Sequence, residues 1–469
     1  MIQVARELRI DQIKRPDQVK ARLATLRRRD WFALCLVFIA LFISFNWAPH
    51  LVIVDWLLGS KVNVWHDGFG FSDFHNVFGS ESDVLISMRL EQNVEEGMFS
   101  SQMLLGSSRD VYTSQTGFGG WLLTLPSTLF RSWGWFGVPL MYALVAAGNA
   151  LLATAAVGFV SRALSKGAAA LVIVALLQPW PSAMAHSTYW MIGLKVLPAA
   201  ALIALFTYGR DTNLRVLAVS FGFTLLAALS GYEFLTVVVA CQLAVLTYYA
   251  VVRNYKLRQA FLLVITGFIG AVLGFAAAGL IQVLQLWIRL GSAAEGVNSL
   301  VYNAAKRTGS TGMQVDPMFA ESLSVSPNRV LEIYLGMPII GSPAALPFIQ
   351  IFTMVAFLCV CATVILIGLG RSNIDDAQVR ESAMGAAWFI SLLGPLGWFL
   401  LARPHSFIHQ FINFALWYIP TIPLGLAILW APVRGGLAGL WRQPLQVAVI
   451  AGAGAALALF YLYSLVTVR

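Results

Sequence analysis

Apolar residues in this chain do not alternate with polar ones. They gather in long runs separated by short polar breaks. A run of 18 or more apolar residues reads as a membrane-spanning helix, because about 20 residues cross the hydrocarbon core. The pattern predicts about eleven such spans, near 31–54, 133–160, 168–185, 189–208, 213–230, 232–252, 259–288, 345–370, 383–402, 410–431 and 445–467. The expected fold class is therefore an all-α polytopic membrane protein. Residues 1–30 form a basic N-terminal segment, and 31–469 a single transmembrane domain. Two long polar segments interrupt that domain, about 55–132 and 289–344.

Composition agrees with this pattern and then gives it a direction. Of 469 residues, 58% are hydrophobic and 11% charged, against about 25% charged in a soluble protein. The net charge of +9 reads as membrane topology rather than nucleic-acid binding. With the N-terminus in the cytoplasm, the segments 1–30, 161–167, 208–215, 252–258, 371–382 and 432–444 hold 20 of the 31 Lys and Arg, as the positive-inside rule requires. The two long segments then face outward. Trp47, Trp56, Trp133, Trp135, Trp180 and Trp287 sit near span ends on that side, where interfacial aromatic belts form. No cleavable signal peptide is expected, and the economy of the chain suggests a bacterial inner membrane. Cys35, Cys241, Cys359 and Cys361 lie in apolar runs without zinc-site spacing, so they read as small buried hydrophobes.

The first outer segment is acidic. It holds Asp67, Asp73, Glu81, Asp83, Glu91, Glu95, Glu96 and Asp110. In "FGSESDVLISMRLEQ", Ser80 followed three residues on by Asp83 is a capping-box pattern, and Val84, Leu85 and Met88 suit a helix lying on the membrane surface. A helix cap accounts for one acid, and not for the cluster. A carboxylate held at this depth meets the head group of a membrane-borne substrate, which is where a general base must be. Farther on, Leu122 to Phe130 is apolar but too short to cross, and reads as a second interfacial helix.

One span, a long outer segment in which acids open an interfacial helix, and then a second interfacial helix: this order resembles the GT-C superfamily of membrane glycosyltransferases. "ESDVLISMR" is similar to the acid-to-arginine segment that opens the juxtamembrane helix in lipid-phosphate-sugar transferases of that class, with Arg89 as its basic end. The resemblance implies a GT-C-like fold with an outward cavity, a polyprenyl-phosphate or polyprenyl-diphosphate sugar donor, and a catalytic acid in the first outer segment. The chain lacks a clean Asp-Glu or Asp-Asp dipeptide there. Glu81 and Asp83 are therefore the leading candidates for the base, followed by Asp67 and Asp73.

Other outward groups supply the opposite charge. "LARPHSFIHQFIN" places Arg403, His405, His409 and Asn413 at the mouth of a span, the two histidines sharing a helical face. Arg403 has the geometry to hold a phosphate oxygen, and a histidine to donate to it. The alternative is an ordinary basic flank. "AHSTYWMIGLKV" adds His186, Tyr189 and an embedded Lys195, which faces a cavity or partner unless it snorkels to the interface. "SGYEF" adds Glu233, either a turn residue or a partner for Lys195. In 289–344, Lys306 and Arg307 are placed to meet phosphate, and the segment is either a lid over the cavity or a plain connection.

The leading expectation is an inverting glycosyltransferase acting on the extracytoplasmic face. It needs no cofactor that the sequence indicates, a divalent metal is left open, and its partners are a lipid-linked sugar donor, a glycan, lipid or protein acceptor, and membrane lipids. Two alternatives use the same substrates. One is an O-antigen-type polymerase or ligase, in which a late outer loop and basic residues dominate. The other is a transporter or flippase, for which internal repeats and midplane charges are expected. An intramembrane protease lacks its motifs here.

Overall fold

The computed structural model describes residues 28–47, 116–129, 137–309, 317–336, 354, 356–358, 360–365, 376–409 and 413–434. Among them every regular element is helical. In chain order these are α1 (Arg28–Trp47), α2 (Phe118–Leu129), α3 (Gly137–Ala163), α4 (Lys166–Leu176), α5 (Pro179–His186), α6 (Ile192–Thr207), α7 (Asn213–Leu229) and α8 (Leu235–Val252). There follow α9 (Leu257–Leu290), α10 (Ala293–Thr308), α11 (Pro317–Ser324), α12 (Pro327–Gly336), α13 (Asp376–Ser391), α14 (Leu393–Leu401), α15 (Arg403–Ile408) and α16 (Thr421–Arg434), with a 3₁₀ turn at Ala415–Tyr418.

Among the described residues, four stretches are long and apolar enough to cross a membrane: Leu140–Ala163, Leu235–Val252, Leu257–Leu290 and Asp376–Leu401. Several shorter apolar helices, α4, α6 and α7 among them, accompany these, a set compatible with a membrane protein. The predicted span at 445–467 lies outside the described residues, and most of 345–370 does too.

Local chemistry explains where the helices depart from the predicted spans. The run 168–185 divides into α4 and α5 at Pro179, because proline offers no N–H to continue a ladder but fits the first turn of a new helix. In the run 410–431, α16 starts at Thr421, after the 3₁₀ turn. Among its described residues, the polar segment 289–344 carries α10, α11 and α12. Gly291 turns the chain at φ 75°, Ser292 accepts from the Glu295 N–H, and Gly309 closes α10 at φ 75°.

At the centre stands α8, packed against α6, α9, α13 and α14. α7 packs closely on α9, which presents glycines to the α7 backbone. A Cβ on Gly270 would lie 2.7 Å from the Leu217 carbonyl oxygen and 2.8 Å from Ser220 Cβ. Small residues let helix backbones approach in this way. Gly270→Ala is expected to destabilise by about 1–3 kcal/mol through overpacking. Gly222→Ala, which meets nothing within 4 Å, is expected to be neutral or slightly stabilising. Thermal melts of the two variants in detergent check the contrast.

Candidate functional site

The turn between α7 and α8 organises the site. α7 ends with the Ser230 N–H on the Leu226 carbonyl and the Gly231 N–H on the Ala228 carbonyl. The last carbonyls of a helix need donors from elsewhere, and Lys195 of α6 provides them. Its Nζ donates to the Ala227 oxygen at 2.7 Å and the Gly231 oxygen at 2.5 Å. Gly231 stands at φ 145°, which glycine adopts freely, and Phe234 at φ 66°. Tyr232 donates to the Ala278 carbonyl at 3.0 Å, pinning the turn to α9, and Thr116 donates to the Leu229 carbonyl.

This turn aims Glu233 at α10. The Glu233 side chain is 3% exposed, and its Oε1 accepts from Arg307 Nη2 at 2.8 Å. Arg307 lies in the last turn of α10, where a cation also complements the helix dipole. Its Nη1 donates to the Asn303 carbonyl at 3.3 Å. Lys195 is within electrostatic reach of Glu233.

α10 ends against α15. A Cβ on Gly309 would meet Pro404 Cγ at 2.9 Å and Arg403 Nη2 at 3.4 Å. Arg403 donates in turn to the Leu323 carbonyl of α11 at 3.3 Å. On α15 the His405 and His409 rings lie 4.6 Å apart. Asn413 Nδ2 is 3.4 Å from His405 Nδ1 and from its carbonyl oxygen. Tyr334 of α12 donates to the Ser406 carbonyl at 2.6 Å and fixes the short helix from behind. Neighbouring rings run from Tyr189 through Trp190, Phe234 and Trp398 to His405, with centroids 4.8–5.6 Å apart.

One cluster thus gathers Glu233, Lys306, Arg307, Arg403, His405 and His409 from three regions of sequence. Surrounding protein desolvates His405 and pushes its pKa well below the ordinary value, with His409, Arg307 and Lys306 adding to the effect. His409 is also lowered, first by desolvation and against the pull of Glu233, with Arg307 and Lys306 contributing. Both imidazoles are therefore neutral near pH 7. The cluster carries three cations against one carboxylate, a net positive balance. Donors remain open here: Arg403 Nε, Trp398 Nε1 and the Ser406 hydroxyl have no hydrogen-bond partner among the described residues. Buried donors without acceptors are uncommon, and an anion or a hydroxyl-rich ligand would satisfy them.

A pH dependence follows. Below about pH 6.5 the unfolded chain takes up protons that folded His405 and His409 resist, so stability present above that pH is lost as pH falls toward their lowered values. The melting temperature is expected to drop between about pH 7 and about pH 5, and His405→Gln combined with His409→Gln is expected to flatten part of the drop.

The other sequence candidates lie elsewhere. His186 stacks on Tyr142 with centroids 4.8 Å apart, its Nδ1 3.1 Å from the Phe45 carbonyl oxygen, between α1 and α3. Tyr189 begins the row of rings. Asp67, Asp73, Glu81, Asp83 and Arg89 lie outside the described residues. The sequence offered Glu233 as a turn residue or as a partner of Lys195; it lies in the α7–α8 turn with Lys195 within electrostatic reach, and its ion pair at 2.8 Å is with Arg307. The available signal was "SLVYNAAKRTG", a helix ending in two cations and a glycine. Among the described residues no group of three His, Cys, Asp or Glu is arranged to hold a metal.

No protein-family model, curated protein or solved structure matches this chain.

Proposed function

We propose that this chain is an integral membrane glycosyltransferase that moves a sugar from a polyprenyl-phosphate carrier to an acceptor hydroxyl on the outer face. One observation supports this reading above the others: Arg307 pairs with the buried Glu233, and Lys306 and Arg403 belong to the same cluster beside two neutral histidines, with donors left open. A lipid phosphate is the ligand that such a cluster suits, since guanidinium groups bind its oxygens well.

In the proposed reaction a first-segment carboxylate, Glu81 or Asp83 ahead of Asp67 or Asp73, takes the proton of the acceptor hydroxyl. The oxygen attacks the anomeric carbon. The bond from that carbon to the phosphate oxygen breaks, its electron pair leaves with the lipid phosphate, and configuration inverts. Arg403 and Lys306 offset the charge that develops on the phosphate. Neutral His405 or His409 donates a hydrogen bond. Glu233 has one oxygen on Arg307, so it positions that cation and is poorly placed to serve as the base. Lys195 acts through the turn it holds.

Arg403→Gln and Lys306→Gln test this assignment in a transfer assay with polyprenyl-phosphate sugars. A lost charged hydrogen bond of roughly 1.5–3 kcal/mol lowers kcat/KM about 10- to 100-fold. Unchanged kinetics in both folded variants would remove the phosphate role. A second reading, an O-antigen-type polymerase or ligase, draws on Lys306 and Arg307 coming from the late outer segment. That reading predicts activity that survives loss of the first-segment acids.

A further inference from the structure

The 34-residue helix α9 is about 51 Å long, far more than the roughly 30 Å hydrocarbon core. Its neighbours α6, α7 and α8 have 16, 17 and 18 residues, about 24–27 Å each. α7 ends at Leu229, and the turn beyond it is pinned to Ala278 through Tyr232. The remaining 12 residues of α9 thus project about 18 Å past the Glu233 turn. At Gly291 the chain reverses, and α10 returns along α9, with Gly296 against the Val283 carbonyl and Leu286.

A projecting hairpin in water would bury its apolar faces and expose its polar ones. This one buries polar groups and exposes a run of apolar ones, with Glu295, Asn298 and Thr308 exposed beside that run. Gln282, Gln285 and Asn303 are buried. Outward on α10 lie Val297, Val301 and Ala304, all exposed. On α9 one straight stripe runs through Leu262, Ile269, Leu273, Leu280, Leu284 and Trp287, between 44% and 71% exposed. Its helical phase does not change where the hairpin leaves α7. The face turned to lipid in the crossing part of α9 therefore continues unbroken to the hairpin tip.

We infer that the α9–α10 hairpin is embedded in the leaflet that meets the cationic cluster, with its Leu, Val and Ala stripe against acyl chains. It forms the lipid-side wall of a polar chamber whose floor is the Glu233 turn. The 22 residues of α9 up to Ala278 measure about 33 Å, so α9 tilts from the membrane normal to keep the hairpin within the leaflet. Glu233 and Arg307 then sit on the inner side of a wall whose outer side is lipid. This arrangement requires that the chain cross a bilayer, and it does not depend on the chemistry proposed for the cluster.

Nitroxide labels at Leu284→Cys and Val301→Cys test the inference in the full chain in liposomes, with the four native cysteines changed to alanine. Leu273→Cys, on the crossing part of the same stripe, is the lipid reference. Both hairpin labels are expected to collide with dissolved oxygen several-fold more than with a water-soluble nickel chelate, matching the reference. Labels open to the nickel chelate would place the hairpin in water and overturn the inference. Labels shielded from both reagents would show that protein, such as a second copy of this chain, covers the stripe, and would overturn it equally. If Leu284→Cys fails to fold, Leu280→Cys reports on the same stripe.

Discussion

Arg307→Met is expected to cost about 3–5 kcal/mol of stability, because it leaves the Glu233 carboxylate buried without its guanidinium. The Coulombic gain within the pair does not set this figure. The cost comes from leaving a carboxylate whose side chain is 3% exposed with Lys195 as its remaining cation. Two comparisons separate that cause from lost packing. Arg307→Lys keeps a cation near Glu233 and is expected to recover part of the loss. Combining Arg307→Met with Glu233→Gln removes the stranded charge and is expected to be less destabilising than Arg307→Met alone. Thermal melts in detergent read both. An equal loss in all three variants would assign Arg307 a packing role only. The loss also reaches the proposed wall of the chamber, since the pair ties the end of α10 to the α7–α8 turn.

Glu81→Gln or Asp83→Asn is expected to lower sugar transfer about 10²- to 10⁴-fold, the usual contribution of a positioned base, while leaving the melting temperature unchanged. The two amides keep the shape of the side chains and one acceptor oxygen, so a helix cap at Asp83 would largely survive the change. A drop in kcat/KM confined to one of them names the base. Full activity in both would pass the role to Asp67 or Asp73. Glu233 is the weaker substitute, because an oxygen engaged by Arg307 gives up its proton affinity to that cation.

Apolar runs made the helical class legible, since nothing but a helix satisfies every backbone group within one apolar segment. Their ends were less legible. Pro179 divides a run that hydropathy treats as continuous, and the start of α16 at Thr421 depends on the turn before it. The cluster was legible residue by residue. Arg403, His405, His409 and Glu233 each stood out as charged or titratable groups at span ends. Their grouping was not, because Glu233 and Arg307 are 74 positions apart. Lys195 shows the limit most clearly. An embedded lysine signals a demanding environment, but spacing cannot say that the demand comes from the Ala227 and Gly231 carbonyls.

The central claim is that this chain transfers sugar from a lipid phosphate. Proteoliposomes holding the wild-type protein, supplied with radiolabelled sugars on polyprenyl phosphate and a range of hydroxyl acceptors, test it most directly. The account predicts labelled product of inverted anomeric configuration, formed together with free polyprenyl phosphate. Movement of the intact lipid-linked sugar across the bilayer, with no product from any donor, would contradict it.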